Sequence, residues 1–218
     1  MISVFSFCLY GHNPKYTLGM IENVKIINDK FNDWYIYIYY NNVPENILEQ
    51  LQLYNNVVLI KSSYNNHKTM LDRFKPIDNA DVDIMMVRDA DSRIHDRDLW
   101  AINEFINSDK KLHIIRDHRG HLRPIMAGLF GMKKGFIDFN IENAIKIFEP
   151  NHEDAYQVDQ NFLAQFIYPI AIKTNNYLLH GYKISDNEII TPFPFPVTNG
   201  DFCGQVIDYK DDKAYSVF

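Results

Sequence analysis

The spacing of apolar positions along the chain switches repeatedly between a strand-like and a helix-like rhythm. Residues 2–9 form a short, nearly continuous apolar run and predict a first strand. Residues 10–16 are polar, contain Gly11 and Pro14, and predict a loop. Residues 18–29 place Met20, Ile21, Val24 and Ile27 near helical spacing, with Gly19 and Asn23 among them. Residues 34–40 are aromatic and β-branched and predict a second strand. Pro44 opens a helix running to Leu53, a position where proline is tolerated, and 57–60 is a third strand.

Residues 68–74 predict a helix and 82–87 a buried strand. Residues 96–107 predict a helix whose acidic start suits its N-terminus, and 112–115 a further strand. The stretch 124–132 carries Gly128 and Gly131, which suits close approach by a ligand. Helices are expected over 141–148 and 159–167, and a late strand over 177–180. From Thr191 onward, the alternating Pro and Phe residues and an acidic tail predict an extended strap and an edge. Early βα alternation implies one α/β domain over residues 1–218, with a mostly parallel central sheet and helices on both faces.

Composition narrows the classes. A chain of 218 residues with 46% hydrophobic and 14% aromatic content builds a sizeable core and is not disordered. Its formal charge of −6 argues against a general nucleic-acid partner, yet leaves room for a nucleotide held by a few cations. Cys8 and Cys203 match no zinc or redox spacing and read as reduced, packed thiols. No apolar run reaches membrane-spanning length. The N-terminus reads as a strand and not as a signal peptide, so a cytoplasmic location is expected, host cytoplasm for a viral source.

The chemically richest stretch is Arg88-Asp89-Ala90-Asp91-Ser92-Arg93, placed where the fourth strand stops. Carboxylates at i and i+2 past a strand end can turn to one point, and open α/β sheets bind ligands outside those ends. Asp89 and Asp91 therefore read as ligands for a hard cation, Mn2+ or Mg2+, that keeps positions open for phosphate oxygens. A solvated, salt-bridged turn is the plain alternative. Arg88 and Arg93 are either partners of that pair or phosphate contacts. Arg73 precedes the strand and either reaches the same cavity or has an ordinary surface role.

Three further candidates follow. Arg116-Asp117-His118-Arg119-Gly120-His121 packs ionisable groups into one loop, a binding-loop composition in which Asp117 can orient a sugar hydroxyl or act as a base. Asp159 opens a helix and serves either as a cap or as a base. His180 ends an apolar strand, where a histidine is more often structural. If the aspartates bind metal, it is the residue best suited to complete the site.

In this order, Phe7-Cys8-Leu9-Tyr10-Gly11 with Lys15, Tyr16 and Gly19, Val82-Asp83-Ile84, the Asp-x-Asp block, Ile115-Arg116-Asp117-His118, Met126-Ala127-Gly128-Leu129-Phe130-Gly131, Val158-Asp159-Gln160-Asn161-Phe162-Leu163, Ile167-Tyr168-Pro169 and Phe202-Cys203-Gly204-Gln205-Val206 resemble the small GT-A-fold nucleotide-sugar glycosyltransferases of bacteria and large DNA viruses. The resemblance implies a Rossmann-like GT-A fold and transfer of a hexose or deoxyhexose from a UDP-sugar to a glycan or other acceptor hydroxyl. It implies Asp89, Asp91 and His180 on Mn2+ or Mg2+. It also implies Ser6, Leu9, Tyr10 and Gly11 around the nucleotide, with Arg73, Arg88 and Asp89 at the donor and Ala127 and Gly128 beside its sugar. Arg119-Gly120-His121 and Gly181-Tyr182-Lys183 depart from that pattern, on the side that sets substrate identity.

Asp159 is the first candidate for a general base in an inverting reaction and Asp117 the second. Paired aspartates with arginines also suit a metal-dependent phosphohydrolase or a nucleotidyl transferase. The first lacks a nucleophile motif near strand one, and the second a Gly-rich, Lys-bearing loop. A non-catalytic nucleotide-sugar-binding module is the third possibility.

Overall fold

The computed structural model describes residues 1–148, 157–198, 200–210 and 213–217. Tyr156, ahead of the Asp159 helix, and Asp211 and Asp212 of the acidic tail lie outside the described residues. One seven-stranded sheet organises the chain, in the order β3-β2-β1-β4-β6-β5-β7. Its strands are β1 (Ile2–Tyr10), β2 (Tyr35–Asn41), β3 (Val57–Lys61), β4 (Val82–Arg88), β5 (Leu112–Arg116), β6 (Leu129–Lys133) and β7 (Tyr177–Gly181). All pairings are parallel except those of β6 with β4 and β5.

The helices are α1 (Pro14–Lys30), α2 (Glu45–Gln52), α3 (Thr69–Asp72), α4 (Asp96–Asn107), α5 (Ile141–Ile147), α6 (Val158–Phe162) and α7 (Tyr168–Thr174). Strand alternation divides their packing. In β4, Ile84 and Met86 face a core shared with Phe5 and Phe7 of β1, Val24 of α1 and Phe105 of α4. Met85 and Val87 face the opposite core, with Leu71 of α3, Ile145 of α5 and Phe162 of α6. Both faces of the sheet are therefore covered, as the βα alternation predicts.

Three elements differ from the sequence reading, each for a local reason. Helix α1 begins at Pro14, four residues early, because Asn13 caps it by accepting the Lys15 N–H at 2.9 Å. Strand β6 lies inside the stretch read as a ligand approach. Its glycine pattern hid it: a Cβ on Gly131 would meet the Met86 sulfur at 2.3 Å, so the glycine is there for sheet packing. The helix opened by Asp159 passes through a π-helical turn (Leu163–Ile167) into α7, so Pro169 does not end it. The wider turn accommodates a residue that lacks an N–H and crowds the carbonyl four positions back.

The strap after β7 begins with a bridge from Thr191 to His180. The chain then closes in a separate hairpin, β8 (Ile207–Lys210) and β9 (Lys213–Ser216). Among the described residues no helix is long and apolar enough to cross a membrane.

Candidate active site

Strands β1, β4, β5 and β7 run the same way, so their carboxyl ends share one rim of the sheet. Asp89 is the first residue beyond β4 on that rim. The loop that carries it is gripped from two sides. From α1, Asn23 donates to the Ser92 carbonyl at 2.9 Å, and Gly19 lets the helix come close. A Cβ on Gly19 would stand 2.2 Å from the Ala90 carbonyl oxygen. From the terminal hairpin, the Ile207 N–H donates to the Asp91 carbonyl at 2.7 Å. Arg93 donates to the Ala90 and Ser92 carbonyls and to the Tyr209 hydroxyl, the last at 2.9 Å.

The two carboxylates sit in different environments. The Asp89 side chain is 44% exposed and faces Arg73, whose Nη1 lies 2.5 Å from Oδ1. The Asp91 side chain is 15% exposed, with the Lys15 ammonium 3.5 Å from Oδ2. Burial and then the neighbouring Asp89 push the Asp91 carboxyl up to about 6, against the pull of Lys15. Arg73 is itself buried and donates through Nη2 to Asp159 Oδ2 at 2.6 Å. Asp159 also accepts the Gln160 N–H, and burial raises its carboxyl while Arg73 opposes the rise. One guanidinium thus joins Asp89 and Asp159, residues 70 positions apart in the chain (159 minus 89).

Cys8 of β1 lies within electrostatic reach of this bridge. Burial pushes its thiol up to about 12, with Arg73 opposing and Asp159, Asp72 and Asp89 adding to the rise, so it is neutral at ordinary pH. Both cysteines are free thiols, as expected.

Several expected site residues stand elsewhere. Arg88 is buried and its guanidinium grips Asp98 through two hydrogen bonds, at 3.1 and 2.8 Å, besides the Val87 and Phe130 carbonyls. All three of its side-chain nitrogens are engaged by these partners. Asp117 is buried in a two-pronged pair with Arg97, at 2.5 and 2.7 Å, and also accepts the Cys203 N–H at 2.9 Å. Both of its oxygens are engaged, and through the Cys203 N–H it fastens the C-terminal strap. His180 is fully buried: Nδ1 lies 2.9 Å from His113 Nε2, and the ring packs edge-on against Trp100. Burial pushes it down to about 4, so its ring is neutral at ordinary pH. Among the described residues it is not grouped with Asp89 and Asp91.

The expected nucleotide cradle is only partly at the rim. Ser6 and Leu9 are fully buried, as is Ala127 but for a trace. Tyr10 is exposed and donates to the Asn65 carbonyl at 2.8 Å, and Gly11 turns the chain at φ +80°. Gly128 does lie at the site, under Asp89: a Cβ there would meet Oδ2 at 1.9 Å.

The structure adds residues that the sequence reading had not assigned to the site. Lys15, Gly19 and Asn23 of α1 hold the Asp-x-Asp loop, and the early helix start was the signal for Lys15. Gln160 Oε1 is buried beside Asp159 without a hydrogen-bond partner among the described residues. His121 is buried too, and burial followed by His118 pushes it down to about 4, with Asp117 and Asp89 opposing.

The donor set fits a hard divalent cation. Two carboxylates crowd one another, one of them open to solvent, and a like-charge pair of this kind is relieved by a cation. Among the described residues no three His, Cys, Asp or Glu side chains assemble to hold a metal ion. The fit is therefore to an ion that completes its shell with water and phosphate oxygens, and not to a closed protein cage. Two surface depressions, one lined by His95, Arg97 and Phe195 and one by residues 183–186, include none of these groups.

No protein-family model and no curated protein sequence matches the chain. Solved structures do resemble it. One is the galactosyltransferase LgtC in complex with donor and acceptor sugar analogs, at TM-score 0.52 and 15% identity, covering 74% of this chain and 69% of that one. Another is the glycosyltransferase GlyE of Streptococcus pneumoniae, at TM-score 0.56 and 17% identity, covering 82% and 44%. A third is the mannosyltransferase PcManGT of Pyrobaculum calidifontis with GDP-Man and Mn2+, at TM-score 0.51 and 11% identity, covering 88% and 56%. The chain thus has the GT-A glycosyltransferase fold, and spans about half the length of the second and third of these proteins.

Proposed function

We propose that the protein is a glycosyltransferase that moves a hexosyl or deoxyhexosyl group from a nucleoside-diphosphate sugar, UDP-linked in our reading, to a hydroxyl of a glycan acceptor. The observation that carries this reading is the Asp89–Asp91 pair at the carboxyl end of β4. It is set on a fold shared with LgtC and GlyE, and its open face is bordered by Lys15 and Arg73. The mannosyltransferase neighbour, with GDP-Man and Mn2+, supports the same pairing of nucleotide sugar and divalent cation.

Asp89 and Asp91 would hold Mn2+ or Mg2+, with the sequence-expected His180 left out of the set. Such an ion, when bound, supplies Lewis-acid stabilisation of the charge that gathers on the departing diphosphate. Arg73 and Lys15 add fixed positive potential to the same leaving group, already oriented before the reaction. Tyr10 and Gly11 provide the rim for the nucleotide, and Gly128 the floor beneath Asp89.

In the transfer, the acceptor oxygen bonds to the anomeric carbon as the bond to the diphosphate oxygen breaks. An inverting reaction sends the hydroxyl proton to a carboxylate within hydrogen-bond reach. Asp159 is the sequence-expected carboxylate that adjoins the pair, and its burial raises its affinity for that proton. Asp117 is held by Arg97 as Asp159 is by Arg73, but it is Arg73 that also contacts Asp89, which favours Asp159.

Incubation with UDP- and GDP-linked sugars, Mn2+ and mixed glycan acceptors tests the proposal. Release of nucleoside diphosphate from one donor, abolished by chelator and by Asp89→Ala, is the expected result. Absence of release with every donor in the presence of Mn2+ would overturn it.

A further inference from the structure

Strand β5 ends at Arg116, and β6 begins at Leu129, paired with Arg88. The intervening loop, residues 117–128, therefore leaves the sheet at its carboxyl rim and returns beside Asp89, finishing on the glycine that supports that carboxylate. It is a built loop. Arg97 pins it at Asp117, and Arg116 binds the Arg123 and Pro124 carbonyls. Arg123 donates to Gln157, two residues before Asp159. His118 stacks on Phe202 of the strap, with centroids 4.4 Å apart. His121 is 8% exposed, and its Nδ1 has no hydrogen-bond partner among the described residues.

The arginines of the chain divide sharply. Arg73, Arg88, Arg97 and Arg116 are each locked to a carboxylate, and Arg93 is spent on carbonyls and Tyr209. Arg119 and Arg123 are exposed and have no carboxylate partner among the described residues, and both belong to this loop. On a chain of net charge −6, an anionic substrate needs such a local pair of cations to approach. Arginine's planar fork also matches phosphate oxygens two at a time.

We propose that Arg119 and Arg123 bind a phosphate group on the acceptor, making this a transferase for phosphate-bearing glycans. The inference rests on the transferase reading above. The tether from Arg123 to Gln157 sets the loop beside Asp159, where an acceptor hydroxyl must lie. The donor diphosphate, in the reading above, is served by Lys15 of α1 and by Arg73, neither of which belongs to this loop.

The test is calorimetric, on wild type and on the Arg119→Ala/Arg123→Ala variant. Arg119→Ala alone, which keeps the Arg123–Gln157 hydrogen bond in place, is expected to lose part of the preference for the phosphorylated sugar. UDP with Mn2+ is titrated first, and galactose 6-phosphate or galactose is then titrated into the UDP-loaded protein. We expect UDP to bind both proteins alike. Galactose 6-phosphate should bind wild type at least tenfold more tightly than galactose, and the variant should lose that preference. Equal or undetectable binding of the two sugars to wild type would overturn the proposal, as would a preference that survives in the variant. A tenfold loss of UDP affinity in the variant would assign the arginines to the donor and overturn it too. Should UDP fail to bind wild type, the transferase reading fails; inorganic phosphate titrated into both proteins then shows separately whether the arginine pair binds an anion.

Discussion

The Asp89 carboxylate rests directly on the α-carbon of Gly128, so close that a methyl there would sit 1.9 Å from Oδ2. Two segments far apart in sequence, the Asp-x-Asp loop and the glycine-bearing stretch 126–131, thus shape one functional group. The atom that must yield is the end of a flexible side chain, so the fold should survive a substitution that the site does not. Gly128→Ala is predicted to lower Mn2+-dependent UDP affinity at least tenfold, with thermal stability nearly unchanged. Calorimetry and a melting curve on the same sample check both halves.

Arg73 lies between Asp89 and Asp159 and carries the burial of the second. Removing one partner of a buried pair leaves a charge without compensation, at about 3–5 kcal/mol. Arg73→Met should therefore destabilise the protein strongly, and Asp159→Asn in that background should recover much of the loss. A double-mutant cycle by urea denaturation measures the coupling. Additive effects would show that the bridge is not a unit.

The fold was largely legible, because apolar spacing reports burial and the βα alternation restricts topology. What escaped had physical reasons. Gly131 concealed β6 because its value lies in having no side chain beneath Met86. Asn13-Pro14 starts a helix although its polar, proline-containing setting looks like loop, because the cap bond from Lys15 N–H to Asn13 is made only in the fold. The Asp-x-Asp was legible through its position after an apolar strand. The arginines were not, since a guanidinium bound to Asp98 or Asp117 and one facing a ligand look alike in sequence. His180 illustrates the same limit: its partner, His113, lies 67 residues away.

Asp117 separates a structural carboxylate from a catalytic one. Asp117→Ala strands the buried Arg97 guanidinium and frees the Cys203 N–H, so a stability loss of about 3–5 kcal/mol is expected. UDP affinity of the folded variant should stay within about threefold of wild type, a small difference on the free-energy scale. Denaturation and calorimetry below the melting temperature decide it. An unchanged stability with lost turnover would return Asp117 to the role of base.

Asp91 predicts an inverted pH dependence for the cation-free protein. Its carboxyl is raised from an ordinary value of 3.8 to about 6, so the native state holds the proton more tightly than the unfolded chain. Stability is then full below 3.8, declines as pH rises through that interval, and levels off above about 6. Asp91→Asn should match wild type at pH 4 and exceed it at pH 8 by roughly 2–3 kcal/mol. Urea unfolding in chelator at the two pH values checks the sign, and added Mn2+ should stabilise only the wild type.

The central claim is that Asp89 and Asp91 hold a divalent cation against a nucleoside diphosphate. Calorimetric titration of UDP, and in parallel GDP, into the protein with Mn2+ and again with chelator tests it most directly. The account predicts saturable binding of one nucleotide with Mn2+, lost on chelation and lost in Asp89→Ala. Binding that persists through both changes, or no binding of either nucleotide with Mn2+ present, would contradict it.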